Sequence, residues 1–212
     1  METRRRTSGD GQLFIEKIVR LRIRESRYWK EHCFGLTAER LVDKAVELNC
    51  IGGVGSENSK PTPFLCLLLK MLALAPAHDI VVEFIRNEEF KYVRCLGAMY
   101  LRLVGLPEDV YKELEPLLAD FRKIAVHRKD AWALTTVDQF VEELLTQSTV
   151  LELALPHLQS RQVLVSSGKL DAEVRESALR DEFEALYGVG DAGNEESGSD
   201  DEEDARKKQR LS

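Results

Sequence analysis

One segment of the sequence, residues 63–74, is apolar on every side of a helix except at Lys70. A helix that is hydrophobic all round is buried in a protein core or in a membrane. This segment is too short to span a bilayer, which needs about 20 apolar residues. Thr62 before Pro63 is a typical helix start, because the hydroxyl caps the first turn and proline suits the first position. The sequence therefore predicts a buried central helix around which the remaining chain packs.

Most of the chain up to residue 187 places apolar residues at helical spacing, interrupted by glycine and proline. We therefore predict the all-α class: a compact single-domain bundle of roughly 7–10 helices around the central helix. The exception is residues 125–134, which are expected to form a loop or one small β-hairpin. Gly97 lies inside a helical pattern, where glycine costs about 1 kcal/mol relative to alanine. We therefore expect another backbone to approach it closely.

The apolar spacing also predicts which side of each early helix faces the core. In the first helix, Phe14, Ile18 and Leu21 recur at helical spacing and are expected to face inward. A second helix is expected to begin at Thr37, which is a good N-cap residue. Its predicted buried face consists of Leu41, Val42, Ala45, Val46 and Leu48.

Charge and composition divide the chain into three predicted parts. These are a flexible N-terminus (1–10), a helical domain (11–187) and a disordered acidic tail with a basic end (188–212). The tail has 8 acidic and 4 basic residues, and almost nothing apolar to bury, which is typical of disorder. The whole chain has a formal net charge of −7, so the rest of it is nearly neutral. A near-neutral body argues against bulk electrostatic binding to nucleic acid.

The sequence contains no recognisable catalytic, metal or cofactor motif. Its four cysteines form no Cys-x-x-Cys pair, and its histidines do not cluster at zinc-ligand spacings. The nucleophile elbow, the zinc-protease helix motif, the phosphate-binding loop and the dinucleotide-binding glycine pattern are all absent. We therefore predict a protein that is not an enzyme, takes no cofactor or metal, and binds other molecules. Its thiols, expected to be reduced, fit an intracellular location.

The candidate binding residues lie near the N-terminus. Four basic residues recur at spacings of three, four and three, and so are expected to share one side of one helix: Lys17, Arg20, Arg24 and Arg27. Like charges this close repel each other unless nearby acidic groups neutralise them. We therefore predict that these residues, with Tyr28 and Trp29 after them, bind an acidic segment of a protein partner.

Other interpretations of the same region stay open at this point. Glu16, Glu25 or the acidic tail could supply the answering charge within the chain. Tyr28 and Trp29 could instead stack on the bases of an RNA. Both residue types are also favoured at protein interfaces, and either ring could simply belong to the core.

Three stretches of sequence are characteristic enough to suggest a family. They are ESRYWKEHCFGLTAE (25–39), GGV (52–54) followed by KPTPFLCLLLKML (60–72), and DIVVEFIRNEEFKYVR (79–94) followed by LGAMY (96–100). Together they closely resemble the pre-mRNA-splicing factor 38 family, and the resemblance covers roughly residues 11–165. The glycine loop departs from the family pattern, because residues 54–58 lack its tyrosine.

The resemblance implies a nuclear, non-enzymatic, all-helical scaffold of the spliceosome. The family is associated with the tri-snRNP and the precatalytic complex, and is required for spliceosome activation in pre-mRNA splicing. The implied partners are a zinc-finger tri-snRNP protein and a microfibrillar-associated-protein-like factor, with no membrane and no small-molecule substrate. The alternative is a direct RNA-binding subunit of the same ribonucleoprotein.

Overall fold

The computed structural model describes residues 10–54, 60–128 and 131–171. Within these ranges the chain is mostly helical, with eight α-helices and two small β-sheets. The described residues all lie in one compact unit. In the same ranges no helix combines the length and the hydropathy that a membrane crossing requires. The predicted acidic tail, and all but one residue of the predicted flexible N-terminus, lie outside the described residues.

The helices, in chain order, are α1 (Lys17–Glu25), α2 (Ala38–Val46), α3 (Pro63–Leu74), α4 (His78–Arg86), α5 (Lys91–Val104), α6 (Pro107–Leu114), α7 (Val137–Thr146) and α8 (Arg161–Ser166). The strands are β1 (Ile51–Gly52), β2 (Lys123–Arg128), β3 (Ala131–Thr136), β4 (Thr149–Val150) and β5 (Leu153–Ala154). Gly11–Phe14 and Glu115–Ala119 are short 3-10 helices, and Trp29–Cys33 is a π-helical segment.

The central helix predicted from the sequence is α3. Side chains from Phe64 to Leu69 are at most 1% exposed, and α1, α2, α5 and β1 all pack against this helix. Thr62 caps its start, with Oγ1 accepting the N–H of Leu65 at 3.4 Å. Ala75 ends it in the left-handed conformation, with φ of 50°, just before Pro76. Both the bounds and the burial of this helix are therefore confirmed.

The close approach predicted at Gly97 lies between α4 and α5. A Cβ atom added at Gly97 would lie 2.8 Å from Cβ of Phe84 and 3.1 Å from the backbone nitrogen of Ile85. Such distances are too short for carbon atoms in contact, so no residue larger than glycine fits there without moving α4. Glycine thus allows the two helices to pack backbone against backbone.

The start of α2 is also as predicted, but its buried face is narrower. Thr37 caps the helix by accepting the N–H of Arg40 at 3.5 Å. Three of the five residues predicted to face inward are buried: Leu41, Ala45 and Leu48. The other two, Val42 and Val46, are 41% and 38% exposed. Thus α2 buries one stripe and leaves a second apolar stripe partly open to solvent.

The all-α prediction omitted most of the sheet structure. The hairpin expected near residues 125–134 is present as β2 and β3. However, β1 adds to it in parallel, with Ile51 opposite Val126, so the sheet has three strands in the order β1-β2-β3. A second hairpin pairs β4 with β5. Strands of two residues carry no readable alternation, so the sequence gives no signal for them. The fold is mainly helical with small sheets.

The turn between β4 and β5 fixes the end of β1. Leu151 and Glu152 both have positive φ, 49° and 64°, an uncommon backbone region for residues other than glycine. The Glu152 carboxylate accepts the N–H of Val54 at 3.1 Å. A Cβ atom at Gly53 would lie 2.4 Å from the carbonyl oxygen of Leu151. Glycine is therefore needed where the turn crosses the strand.

Candidate partner-binding face

A short 3-10 helix before α1 positions two of the predicted basic side chains. Asp10 caps this helix, Gly11–Phe14, by accepting the N–H of Gln12 on Oδ1 at 3.0 Å. The side-chain amide of Gln12 donates to the same oxygen at 3.2 Å. Arg24 Nη2 then donates to Oε1 of Gln12 at 2.7 Å, and Arg20 Nη1 donates to its backbone carbonyl at 3.1 Å. Asp10 therefore orients both guanidinium groups through Gln12.

Ser26 ends α1 and starts the next helical segment. Its ψ of 148° is extended, and its hydroxyl donates to the carbonyl of Ile23 at 2.6 Å. The same hydroxyl accepts the N–H of Trp29 at 3.3 Å. Serine favours such sites because its side chain competes for backbone hydrogen bonds. The prediction of one continuous helix is therefore wrong, and the basic residues lie on two segments: Lys17, Arg20 and Arg24 on α1, and Arg27 on the next.

Of the three intramolecular sources of negative charge considered for these cations, Glu16 and Glu25 lie in the described residues and the acidic tail does not. Within the described ranges, neither Glu16 nor Glu25 forms an ion pair with them. Instead, Arg27 Nε pairs with Oε1 of Glu31 at 2.7 Å, and the Arg27 side chain is 83% exposed. An exposed pair of this kind contributes little to stability and leaves the guanidinium accessible. The cations of this region therefore keep most of their charge available to a partner.

An exposed apolar stripe lies beside the basic residues on α1. Ile18 is 71% and Leu21 48% exposed, and Leu13 in the preceding 3-10 helix is 68% exposed. Ile18 and Leu21 were predicted to face the core, and that prediction is wrong. The helix has two apolar stripes, and the core takes the one that contains Ile23, which is fully buried. We call Lys17, Ile18, Leu21 and Arg24 the α1 face.

The two aromatic residues after the basic run differ in exposure. Trp29 is 9% exposed and belongs to the hydrophobic core, so its ring presents no surface to a partner or to a base. Tyr28 is half-buried, packs against the core, and contacts the ring of His32 at 4.9 Å between centroids. Burial raises the pKa of the Tyr28 hydroxyl to about 12. The structure therefore brings Tyr28, but not Trp29, to the surface beside Arg27.

One cleft of the described chain is too charged for a typical small-molecule site, and the chain's cysteines are too deeply buried to be reactive. A cleft of about 360 Å³ near α6 and α8 is lined by eight residues, of which only Leu170 is uncharged, whereas small-molecule sites are mostly apolar. No group of three or more potential metal ligands occurs in residues 10–54, 60–128 and 131–171. The four cysteines are buried, and burial raises the thiol pKa to about 12 at Cys33 and Cys95. Such thiols are weak nucleophiles and weak metal ligands.

Comparison with known families decides the assignment. The family model described as "PRP38 family" matches residues 6–168 of the chain. The chain belongs to the PRP38 family. This confirms the resemblance to splicing factor 38 that the three sequence stretches indicated.

Other PRP38-family proteins match over most of the chain. Pre-mRNA-splicing factor 38A from Xenopus laevis and from Homo sapiens are each 55% identical to it over 174 residues, covering 82% of this chain and 55% of the relative. The Danio rerio protein is 54% identical over 176 residues, covering 82% and 56%. The chain therefore spans about half the length of these relatives.

A solved structure supports the fold of this PRP38-family chain. It is similar to a chain in the crystal structure of the Snu23–Prp38–MFAP1(217–258) complex of Chaetomium thermophilum, with a TM-score of 0.78 and 38% sequence identity. The match covers 87% of this chain and 100% of the other.

Proposed function

We propose that this chain is a non-enzymatic scaffold of the spliceosome in the nucleus, acting at the tri-snRNP and precatalytic stage by binding other splicing proteins. The observation that carries the proposal is its similarity, over 87% of its length, to a chain of a complex that contains Snu23 and MFAP1. The proposed partners are the corresponding zinc-finger tri-snRNP protein and microfibrillar-associated-protein-like factor. The buried thiols, with a raised pKa at Cys33 and Cys95, are poor nucleophiles, which is consistent with a binding role.

The α1 face is the proposed docking site for one of these partners. MFAP1 is present in the solved complex as a short segment, residues 217–258, and short segments commonly bind as amphipathic helices. The exposed side chains of Ile18 and Leu21 would cover the apolar stripe of such a helix. Lys17 and Arg24 beside them favour a helix with acidic residues next to its apolar stripe, because complementary charge sets orientation and steers association.

An apolar stripe this exposed is itself an argument for a partner. Monomeric soluble proteins rarely leave contiguous apolar surface open unless it binds something. Binding energy at interfaces is concentrated in a few central side chains, and Ile18 and Leu21 lie between Lys17 and Arg24 along α1. The RNA alternative loses support at this site, because the ring of Trp29 is buried.

The test measures binding of the two proposed partner segments by calorimetry. We expect the pair Ile18→Ser and Leu21→Ser to weaken one segment at least about tenfold, or about 1.4 kcal/mol. The pair Lys17→Glu and Arg24→Glu should weaken binding of the same segment, because it reverses the two charges that would face acidic residues. Melting temperatures should change little, because exposed substitutions usually shift stability by less than about 0.5 kcal/mol.

Lys112→Glu, an exposed charge reversal on α6, is the matched control and should bind like the wild type. If neither segment binds the wild-type protein, the scaffold proposal fails. If both bind and the α1-face variants do not matter, the function stands but this site is wrong. Binding of single-stranded RNA that the Lys17 and Arg24 reversals abolish, with a shallower salt dependence, would favour the RNA alternative.

A further inference from the structure

Strand β3 forms an edge of the three-stranded sheet. The order β1-β2-β3 leaves β3 with β2 on one side, and no other described strand pairs with it. Its first four residues, 131–134, are all exposed on both faces of the sheet. An exposed edge presents unpaired backbone N–H and C=O groups, which can pair with a strand from another chain.

Two hydrogen bonds fix which peptide groups of β3 point toward the open side. Just after β3, the N–H of Val137 donates to the carbonyl of Arg122 at 3.1 Å. Hydrogen-bonded and non-hydrogen-bonded residue pairs alternate along an antiparallel ladder. Arg122 and Val137 form a hydrogen-bonded pair, so Ala125 and Leu134, three pairs further along, form a non-hydrogen-bonded pair. Consistent with this, the N–H of Ala125 donates to the hydroxyl of Tyr92 at 3.1 Å. The N–H and C=O of Leu134 therefore point away from β2.

The same alternation applies to Trp132, which pairs with His127. Its ring contacts His127 edge-on, with centroids 4.9 Å apart, and its side chain is 67% exposed, while Leu134 is 68% exposed. Thus the two residues whose peptide groups face the open edge also carry the exposed apolar side chains. An added strand would gain backbone hydrogen bonds and side-chain contacts from the same two residues.

Natural edge strands usually carry a device that prevents such pairing, for example a charged residue, a proline or a bulge. The six residues of β3, Ala131–Thr136, include no charge and no proline. The register with β2 is unbroken from Lys123–Thr136 to Arg128–Ala131, so there is no bulge either. This edge is therefore open to strand addition in a way that most exposed edges are not.

The charges around the strand indicate what kind of strand would fit. Lys123 is exposed at one end of the hairpin, with Lys91 Nζ only 2.6 Å from its carbonyl oxygen. Arg128 lies at the other end, 52% exposed, and is paired with Glu143 at 2.6 Å. Because Glu143 already neutralises Arg128, a complementary strand carries acidic residues at the end that passes Lys123 and apolar residues along the rest. A second copy of this chain fits less well, because β3 itself carries no acidic residue that could lie beside Lys123.

We propose that β3 accepts an extended segment of a protein partner, acidic at the end beside Lys123 and apolar at alternate positions, which adds a fourth strand to the sheet. Strand addition of this kind takes affinity from main-chain hydrogen bonds and specificity from alternate side chains. The surface is made of other residues than the α1 face, and the proposal does not depend on the partners of that face.

The test separates the backbone contribution from the side-chain contribution at one position. Leu134→Ala keeps the outward N–H, whereas Leu134→Pro removes it, and proline is tolerated in edge strands where the N–H faces solvent. The probe is a synthetic peptide of alternating valine and threonine with two glutamates at each end. Binding is measured by the change in tryptophan fluorescence as the exposed ring of Trp132 is covered, and pairing by protection of the Trp132 and Leu134 amides from hydrogen exchange.

We expect the peptide to bind Leu134→Pro at least about tenfold more weakly than Leu134→Ala. Wild-type protein should show new amide protection at positions 132 and 134. A peptide with lysines in place of the glutamates should bind the wild-type protein more weakly. The Lys123→Glu variant should instead prefer the lysine peptide. This second test remains informative if Leu134→Pro does not fold. Equal binding by the alanine and proline variants overturns strand addition. Self-association through β3 without the peptide would also overturn the proposal, as would tight binding of oligouridine in place of the peptide.

Discussion

Three side chains tie the connection after α4 to the start of the hairpin. Asp120 accepts hydrogen bonds from Arg94 Nη1 and Arg122 Nη2, each at 2.6 Å, and its side chain is only 9% exposed. Burial alone would raise the pKa of Asp120, but the bonds from Arg122 and Arg94 outweigh it and hold the pKa at about 2. Arg94 also donates to the carbonyl of Asn87 at 3.0 Å. A single carboxylate thus joins two segments that are distant in sequence.

Asp120→Asn should lower the free energy of unfolding at pH 7 by about 3 kcal/mol, because it leaves two guanidinium groups, one of them largely buried, without their charge partner. The carboxylate's pKa is lower in the folded protein than its ordinary 3.8, so its contribution is complete above about pH 4 and is lost as pH falls toward 2. Urea unfolding from pH 6 to 2 should show the gap between wild type and variant narrow by about 1 to 2 kcal/mol, allowing for solvent screening. Asp43→Asn, on the exposed side of α2, is the control. A gap that stays constant with pH would show that Asp120 is not the titrating group.

At the scale of elements, the interface of α4 with α5 depends on the absence of a side chain. Alanine at Gly97 would gain up to about 1 kcal/mol in helix propensity. Its Cβ would also meet Cβ of Phe84 at 2.8 Å and the backbone of Ile85 at 3.1 Å. Overpacking of this kind typically costs 1–3 kcal/mol, and here the obstacle includes backbone, which cannot move aside like a flexible side chain.

Gly97→Ala should therefore destabilise the protein by about 1 to 2 kcal/mol, measured by chemical denaturation. Gly35→Ala is the matched control, because a Cβ there has nothing within 4 Å. It should be neutral or slightly stabilising, through a smaller entropy of the unfolded chain. A stabilised Gly97→Ala variant would mean that α4 can shift without loss of packing.

The sequence predicts elements well where local signals agree and poorly where they compete. For α3, the Thr62–Pro63 start, the unbroken apolar run and Pro76 all indicate the same bounds. For α1, two apolar stripes satisfy the helical period equally, and tertiary packing chooses the one containing Ile23. Ser26 breaks the run between Arg24 and Arg27 through its hydroxyl, an effect that spacing alone does not reveal.

The exposed surface of α1 is predictable only in part for the same reason. The basic residues of α1 were found by spacing, and Arg24 and Lys17 are indeed exposed. The apolar half of the face was assigned to the core, although a second stripe on a short helix is a visible signal of an unused surface. The open edge of β3 could not be foreseen, because it depends on β1 occupying the other side of β2.

The described part of the chain is organised around α3, which contacts helices from both its first and its middle part as well as β1. Leu68 is fully buried in it. A cavity at such a position weakens several interfaces at once rather than one, so its effect should spread over the entire unit.

Leu68→Ala should lower the free energy of unfolding by about 2 to 5 kcal/mol, the usual range for a buried leucine. Because one core is involved, far-ultraviolet circular dichroism and the fluorescence of the buried Trp29 should report the same shifted midpoint. Val163→Ala, at a position 54% exposed on α8, should change the midpoint little. Separate transitions for the two probes would indicate that α3 does not unite the fold. Leu68→Asp, which buries an unpaired charge, should prevent cooperative folding altogether.

The parallel pairing of β1 with β2 has a consequence for the nascent chain during its synthesis. Ile51 lies opposite Val126, so 126 − 51 = 75 residues must be added before its strand has a neighbour. A ribosome that adds about 5–20 residues per second needs about 4 to 15 seconds for this. During that interval Ile51, which is 1% exposed in the folded protein, has no neighbouring strand with which to pair. The pace of translation therefore sets the earliest moment at which the sheet can close.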